Sequence, residues 1–247
     1  MVTLENVSKQ YHARQAVSPL TIDFAAEQTS VIIGPSGCGK STVLRMMVGL
    51  VVPDTGRVCI AGEALSRKNA QRIRHGLGYV IQDGGLFPHL TAEQNVTLLA
   101  RYLGMNADAI AKRIEALAEL VKIPIDALGR YPQQLSGGQR QRISLMRALM
   151  LDPPLILLDE PLGALDPVTR YELQGELKTI FSSLRKTVIM VTHDMAEAAF
   201  FAHVIVMMRE GRVVQIGSFE DLVRAPAEPY VETFIRAQRW PDVTVRV

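Results

Sequence analysis

No stretch of this sequence stays apolar for the roughly 20 residues that a helix needs to cross a bilayer. Runs such as VIVMM at Val204–Met208 stop far short of that. The N-terminal MVTLENVSKQYH has no apolar segment of the kind a secretion signal carries. Cysteine is scarce: Cys38 and Cys59 make neither a disulfide framework nor a metal spacing, which fits a reducing compartment. Excess charge of one sign is missing too, since 27 Lys and Arg against 25 Asp and Glu leave a formal +2, with the basic residues scattered. That argues against a nucleic-acid footprint and gives no reason to expect an acidic partner. Tandem repeats and low-complexity linkers are also absent. What remains is 247 residues with 48% hydrophobic and 21% charged content. This is an ordinary globular composition, long enough for one large domain or a domain with an insertion. A cytoplasmic chain is expected.

The short alternating pieces VTLENV (Val2–Val7) and PLTIDF (Pro19–Phe24) predict half-buried antiparallel strands. SVIIG (Ser30–Gly34) predicts a buried strand feeding a glycine-rich turn, and STVLRMMVGL a helix stopped near PDTG. RVCIAG and GYVIQ predict further strands. From Thr91 to about Met150 the period becomes helical, most clearly in AEQNVTLLARYL and DAIAKRIEALAELV. Buried-strand patterns return in LILLDE (Leu155–Glu160), TVIMVTH (Thr187–His193) and VIVMM, with RVVQIG after them. Strands alternating with helices imply an α/β fold with a mostly parallel sheet. The fold class expected is an α/β core with a mostly parallel sheet, an N-terminal antiparallel β subdomain and an inserted α-helical subdomain. The helical block, about 91–150, is expected to interrupt a core made of 1–90 and 151–240, the whole forming one domain over 1–240.

GPSGCGKST carries Gly34, Gly39, Lys40 and Ser41 in the register G-x-x-x-x-G-K-[ST]. Glycines let such a loop wrap phosphate closely, and N–H groups of the loop and the following helix face the anion. The lysine reaches the β- and γ-phosphates and the hydroxyl ligates Mg2+. The candidate phosphate contacts are Gly34, Pro35, Ser36, Gly37, Cys38, Gly39, Lys40, Ser41 and Thr42, with Cys38 filling a variable position. LILLDE brings Asp159 and Glu160 to the C-terminal end of a buried strand, where ligands bind in open α/β sheets. There Asp159 can hold Mg2+, and Glu160 can take a proton from an attacking water. His193 ends another buried strand and is a candidate on the same sheet edge, whereas His75 and His203 have no such setting. These residues predict a P-loop nucleotide hydrolase.

LSGGQRQR (Leu135–Arg142) reads as a helix start capped by Ser136, with apolar residues following at Ile143, Met146, Leu149 and Met150. Two glycines in a first turn cost stability but leave backbone N–H groups beside a hydroxyl, which suits an anion. Without a lysine or a metal ligand, such a site completes a phosphate cradle rather than making one.

In chain order, GPSGCGKST, Gln82, LSGGQ, LILLDE, the ALD of Ala164–Asp166 and His193 closely resemble the ATP-binding cassette (ABC) ATPases, from about Val2 to about Phe234. The resemblance implies ATP and Mg2+ as cofactors and a head-to-tail homodimer. In that pair, Leu135, Ser136, Gly137, Gly138 and Gln139 of one chain close over ATP held on the P-loop of the other. It implies that Lys40, Glu160, His193 and Gln82 are catalytic, with His193 on the γ-phosphate. It further implies that Ser41, Gln82 and Asp159 hold the metal, that Gln82 links this site to membrane partners, and that Asp166 lies at the dimer interface. Tyr11 sits where the family stacks an aromatic on adenine; packing on a strand edge is the other reading of that residue.

A single cassette without a membrane span looks like a bacterial importer subunit, peripheral on the inner face of the membrane. Such a subunit docks on separate permease subunits and serves a solute-binding protein indirectly. GLFPHLTAEQNV, after Gln82, resembles the stretch that meets a permease, and Phe87 with Pro88 is an exposed contact or, for Phe87, a core corner. YVIQDGGLFPHLTAEQNV, RYPQQLSGGQRQR and DEPLGALDPVTRYELQ look most like the osmoprotectant branch, which imports glycine betaine, choline or carnitine. Many of that branch carry a C-terminal regulatory domain beyond the point where this chain stops. Importers of polyamines, sulfonates or amino acids stay open, as does an exporter. A DNA-repair ATPase would insert long heptads, and a translation ATPase would carry two cassettes, so no nucleic-acid partner is expected. The tail FIRAQRWPDVTVRV is read as a strand, a permease contact or a frayed end.

Overall fold

The computed structural model describes residues 2–82 and 84–238; the tail around Trp240 lies outside the described residues. Along the chain run β1 (Val2–Tyr11), β2 (Arg14–Phe24), β3 (Thr29–Ile33), α1 (Lys40–Met47), β4 (Thr55–Ile60), β5 (Glu63–Ala64) and α2 (Ala70–His75). Then come β6 (Leu77–Val80), α3 (Ala92–Tyr102), α4 (Ala107–Leu120), α5 (Gly137–Leu149), β7 (Leu155–Asp159) and α6 (Pro167–Leu184). The last elements are β8 (Thr187–Thr192), α7 (Met195–Phe201), β9 (Val204–Arg209), β10 (Arg212–Gly217), α8 (Phe219–Arg224) and α9 (Pro229–Ala237). The chain divides into two compact units, one of Met1–Ser66 with Ile189–Val247 and one of Arg67–Val188.

The first unit holds the antiparallel sheet β2-β1-β4-β5. The register Val2↔Phe24 and Leu4↔Ile22 turns Val2, Leu4, Val7, Leu20, Ile22 and Phe24 to the buried face, which is why their alternation was legible. Both hairpin strands run longer than the alternating pieces suggest, and β2 continues through Pro19. A proline is tolerated there because β2 is an edge strand and need not donate on its outer side. In the unit's second set of strands β3 and β9 are buried on both faces and lie parallel, with Ser30↔Val204 and Ile33↔Met207, whereas β10, exposed or half-buried along its length, returns antiparallel on β9. Such two-sided burial gives the continuous apolar runs seen in the sequence.

In the second unit β6 pairs parallel with β7, from Leu77↔Leu155 to Val80↔Leu158. Helices α3 to α5, with 3-10 turns at Ile125–Gly129 and Pro132–Gln134, fill the span between those strands. Each helix starts on a legible cap. Thr91 and Gln94 form a capping box for α3, Asn106 caps α4, and Ser136 with Gln139 forms the box for α5. Ile143, Met146, Leu149 and Met150 are all buried, as the period after LSGGQ requires. Helix α2 was not foreseen; AQRIRH is one short turn pair with only Ala70 and Ile73 apolar to mark it.

Candidate functional site

In the first unit, β3 ends at Ile33 and the chain turns through GPSGCG into α1. Two glycines are dictated by backbone packing as well as by any ligand. A Cβ on Gly34 would lie 2.1 Å from the Met208 carbonyl oxygen, and one on Gly39 would lie 2.4 Å from that of Ala16. Gly39 also takes φ 107 as the residue that caps α1, a conformation that side chains disfavour. Lys40 is buried at 4% exposure, and its ammonium donates to the carbonyls of Gly34 at 2.8 Å and Pro35 at 3.0 Å. The positive charge is thereby held in the bend of the loop. Pro35, Ser36 and Gly37 are exposed at its crest, while Ser41 and Thr42 are half-buried in the first turn of α1. The Cys38 side chain is buried, and burial pushes its thiol pKa up against the opposing pull of Lys40. It is a packing thiol, not a nucleophile.

Two more candidates lie in this unit. Tyr11 ends β1, opposite Arg14 in the hairpin register, with 44% of its surface exposed and the Lys9 ammonium 5.6 Å from its ring. Arg14 itself donates to the Gly37 carbonyl at 3.3 Å. His193 follows β8 and is exposed; its carbonyl accepts from Gln238 at 3.1 Å. Sequence reasoning missed what holds that turn. The Thr192 hydroxyl donates to the buried Glu197 carboxylate at 2.6 Å and accepts from the Asp194 N–H at 3.1 Å. Asp194 in turn caps α7 through Ala196 and Glu197. A threonine and glutamate five apart carry no sequence signal of their own. His203, set aside from the sequence, accepts from the Thr29 N–H at 3.0 Å and is structural.

In the second unit, β7 is buried throughout and ends at Asp159, which is 3% exposed. Glu160 then takes φ 46. A non-glycine residue in that left-handed region costs roughly 1 kcal/mol, and such strain gathers at functional sites. The turn lifts Glu160 out of the strand line, and the Gln82 amide donates to its Oε2 at 3.3 Å. Ser136 is exposed at the start of α5, and its oxygen accepts from the Gln139 N–H at 3.2 Å while Gln139 Oε1 accepts from the Ser136 N–H at 3.0 Å. With the oxygen already accepting, what the hydroxyl offers an anion is its proton. Leu135 is buried behind it, and Gly137 and Gly138 follow in the first turn. Asp166 caps α6, accepting from Val168 at 3.2 Å and Thr169 at 3.1 Å; those bonds, Thr169's first, hold its carboxyl below the usual range. Phe87 is 44% exposed, so the core-corner reading fails. Its backbone is pinned by buried Asn95, which accepts from the Phe87 N–H at 2.7 Å and donates to the Phe87 carbonyl at 3.1 Å.

The fold is the α/β P-loop class expected from the sequence, and solved structures share it. The dimeric post-hydrolysis state of the ATP-binding cassette MJ0796 bound to ADP and Pi matches with a TM-score of 0.80 at 34% identity, over 88% of this chain and 98% of that one. CbiO1 from Clostridium perfringens, part of the CbiONQ ABC transporter complex, matches with a TM-score of 0.82 at 27% identity, over 96% of each. The ABC transporter family model matches residues 17–163, and the chain belongs to that family. Among curated relatives, the choline transport ATP-binding protein OpuBA of Bacillus subtilis is 45% identical over 240 residues, 97% of this chain. The glycine betaine uptake system ATP-binding protein YehX of Escherichia coli is 42% identical over 234 residues, 95% of this chain and 76% of its own length. The chain spans 63% of the length of OpuBA. Among the described residues, no helix is long and apolar enough to cross a membrane.

Proposed function

We propose that this chain is the ATP-hydrolysing subunit of an importer for an osmoprotectant or similar quaternary amine, working as a head-to-tail dimer beneath membrane permease subunits. The observation that carries the reading is the 45% identity to a choline transport subunit across 97% of the chain, together with a lysine buried in a phosphate-binding loop. A sulfate/thiosulfate import subunit of Thermosynechococcus vestitus is 42% identical over 235 residues, which supports another small-solute importer as the second reading. The helical segment, about 91–150, is proposed as a subdomain inserted in a single cassette. Exposed Phe87 and Pro88, with Leu98 and Tyr102 on α3, form an apolar surface suited to a permease at the membrane's inner face. The solute-binding protein would act on this chain only through the permease.

The chemistry follows from the donors. Loop N–H groups from Ser36 to Thr42 and the Lys40 ammonium neutralise the β- and γ-phosphates, with Gly34 and Pro35 shaping the loop, and Tyr11 stacks on the adenine. Ser41, Gln82 and Asp159 are the residues that would hold Mg2+; a hydroxyl, an amide and a carboxylate are the hard oxygen donors this ion takes, and it supplies charge neutralisation. Glu160 takes the proton of a water as its oxygen bonds the γ-phosphorus and the bond to the β–γ bridging oxygen breaks, releasing ADP and phosphate. His193 holds the γ-phosphate. The Ser136 hydroxyl and the Gly137 and Gly138 N–H groups close over the γ-phosphate on the partner, with Asp166 beside them at the interface. Hydrolysis then removes the group that bridges the pair.

Glu160→Gln tests the chemistry: it should bind ATP, elute as a dimer on gel filtration and hydrolyse nothing, and native-rate hydrolysis would remove Glu160 as base. Uptake tests the substrate. Deleting the subunit should abolish import of radiolabelled betaine or choline at raised osmolarity; unchanged import of both, with sulfate import lost, would replace the substrate and leave the ATPase standing.

A further inference from the structure

Two turns of the first unit are tied to opposite ends of one helix, α9. The turn between β9 and β10 is hooked to the P-loop: the Gly211 N–H donates to the Cys38 carbonyl at 3.0 Å, and the Gly211 carbonyl accepts from the Ser18 N–H at 2.8 Å. Residues on both sides of this turn hold the start of α9. Arg212 makes two bonds to the Glu228 carboxylate, at 2.6 and 3.0 Å, and the Arg209 guanidinium lies 4.3 Å from the centre of the Tyr230 ring. Gln215 fixes the approach to the helix with both atoms of its amide, donating to the Ala225 carbonyl at 3.0 Å and accepting from the Ala227 N–H at 2.9 Å. At the other end of α9, the Gln238 amide donates to the His193 carbonyl at 3.1 Å.

A hydrogen bond from an exposed side chain adds little to the stability of a fold, and neither does an exposed ion pair. What Gln238 and the Arg212–Glu228 pair do together depends on the rod between them. Helix α9 has Pro229 at its first position, Val231 fully buried, and Phe234 and Ile235 half-buried, so it is seated along its length. At 1.5 Å per residue it sets Gln238 about 15 Å from Glu228. A seated helix moves as one piece, and it therefore fixes the spacing between the turn that holds the P-loop and the carbonyl of His193. Thr192 and Glu197 hold the histidine turn from within; α9 holds it from outside.

We propose that Gln238 is a positioning residue for His193 and that α9 is the strut through which it acts, setting the reach of the histidine towards a γ-phosphate held on the P-loop. This rests on the reading of Lys40 and His193 given above and deepens it. The loop keeps its own phosphate contacts, so the strut acts on turnover rather than on affinity. The bond to the His193 carbonyl needs a donor: a carboxylate of the same shape cannot replace the amide, whereas an ammonium can. Since both ends serve one rod, releasing either end lowers turnover, and releasing both lowers it no further.

The test is steady-state hydrolysis of Mg-ATP by the full chain, read as kcat and KM separately. Gln238→Ala and Gln238→Glu should each lower kcat by about two- to tenfold, what one net hydrogen bond is worth, with KM within about twofold of native. Gln238→Lys keeps a donor and should return at least about half of the native kcat. Glu228→Ala should lower kcat like Gln238→Ala, and the double variant should match the weaker single. Sites this far apart ordinarily act independently, so without a strut the two losses would multiply. Native kcat in Gln238→Glu, a loss in Gln238→Lys equal to that in Gln238→Ala, or multiplied losses in the double variant would each overturn the strut. Should Glu228→Ala fail to fold, the three variants of exposed Gln238 decide alone. Native turnover in His193→Ala, or a native chain that neither binds nor hydrolyses ATP, would instead refute the functional reading on which the strut rests.

Discussion

Replacing Thr192 by valine keeps the shape of a fully buried strand end and removes one hydroxyl. That hydroxyl does two jobs at once: it donates to the Glu197 carboxylate at 2.6 Å and accepts the Asp194 N–H at 3.1 Å. Glu197 is 3% exposed and Thr192 2% exposed, so water does not readily replace the lost donor. A hydrogen bond to a buried charged group contributes about 1.5–3 kcal/mol. For a chain of this length, 1 kcal/mol moves the melting temperature by about 2–4 °C, so the variant should melt about 3–12 °C lower. The second consequence is local. His193 stands between Thr192 and Asp194, so loosening both neighbours should cut ATP turnover by about tenfold, while ATP affinity stays near native. Differential scanning fluorimetry and steady-state hydrolysis read the two effects. A melting point within about 1 °C of native and unchanged turnover would refute the reasoning that this buried pair holds the histidine turn.

Gly39→Ala should weaken ATP binding at least tenfold by titration, because its new Cβ meets the Ala16 carbonyl at 2.4 Å in a left-handed conformation. Under native conditions at pH 8, an alkylating reagent should label Cys59, which is half-exposed, before Cys38, whose buried thiol is held protonated; mass spectrometry of the digest reads the order. Asp54, Asp166 and Asp221 have pKa values below the ordinary 3.8, held chiefly by hydrogen bonds from Lys9, Thr169 and Ser218 respectively. A carboxyl lowered on folding stabilises above its unfolded value and loses that contribution as pH falls through the folded one. The melting temperature should therefore hold down to about pH 4 and decline below it, and a flat profile to about pH 3 would contradict these assignments.

How much was legible depended on how local the signal was. The P-loop register, the buried strand ending at Asp159 and the helix cap at Ser136 are each written within a few consecutive residues, and the structure builds them where the pattern put them. The bonds from the Ser144 hydroxyl and the Arg147 guanidinium to the Gly84 and Gly85 carbonyls were not legible, because they join residues 60 or more apart that read in sequence as ordinary helix and turn residues. Glu197 was hidden for another reason. A glutamate in the first turn of a helix is a common dipole partner, and only burial shows that this one faces inward. The strain at Glu160 was equally invisible, since positive φ at a non-glycine residue is a property of the folded turn.

The composite ATP site is the central claim, and complementation between two inactive chains tests it most directly. Lys40→Ala disables the P-loop, and Ser136→Arg disables the surface proposed to close over the partner's ATP. If each site joins the P-loop of one chain to Ser136 of the other, a mixed dimer gathers both lesions in one site and leaves the second intact. Mixing the two chains in equal amounts should then recover up to about a quarter of native ATP hydrolysis, since half the dimers are mixed and each has one whole site. No recovery, with mixed dimers demonstrably formed, would mean that Lys40 and Ser136 act within one chain and would contradict the account.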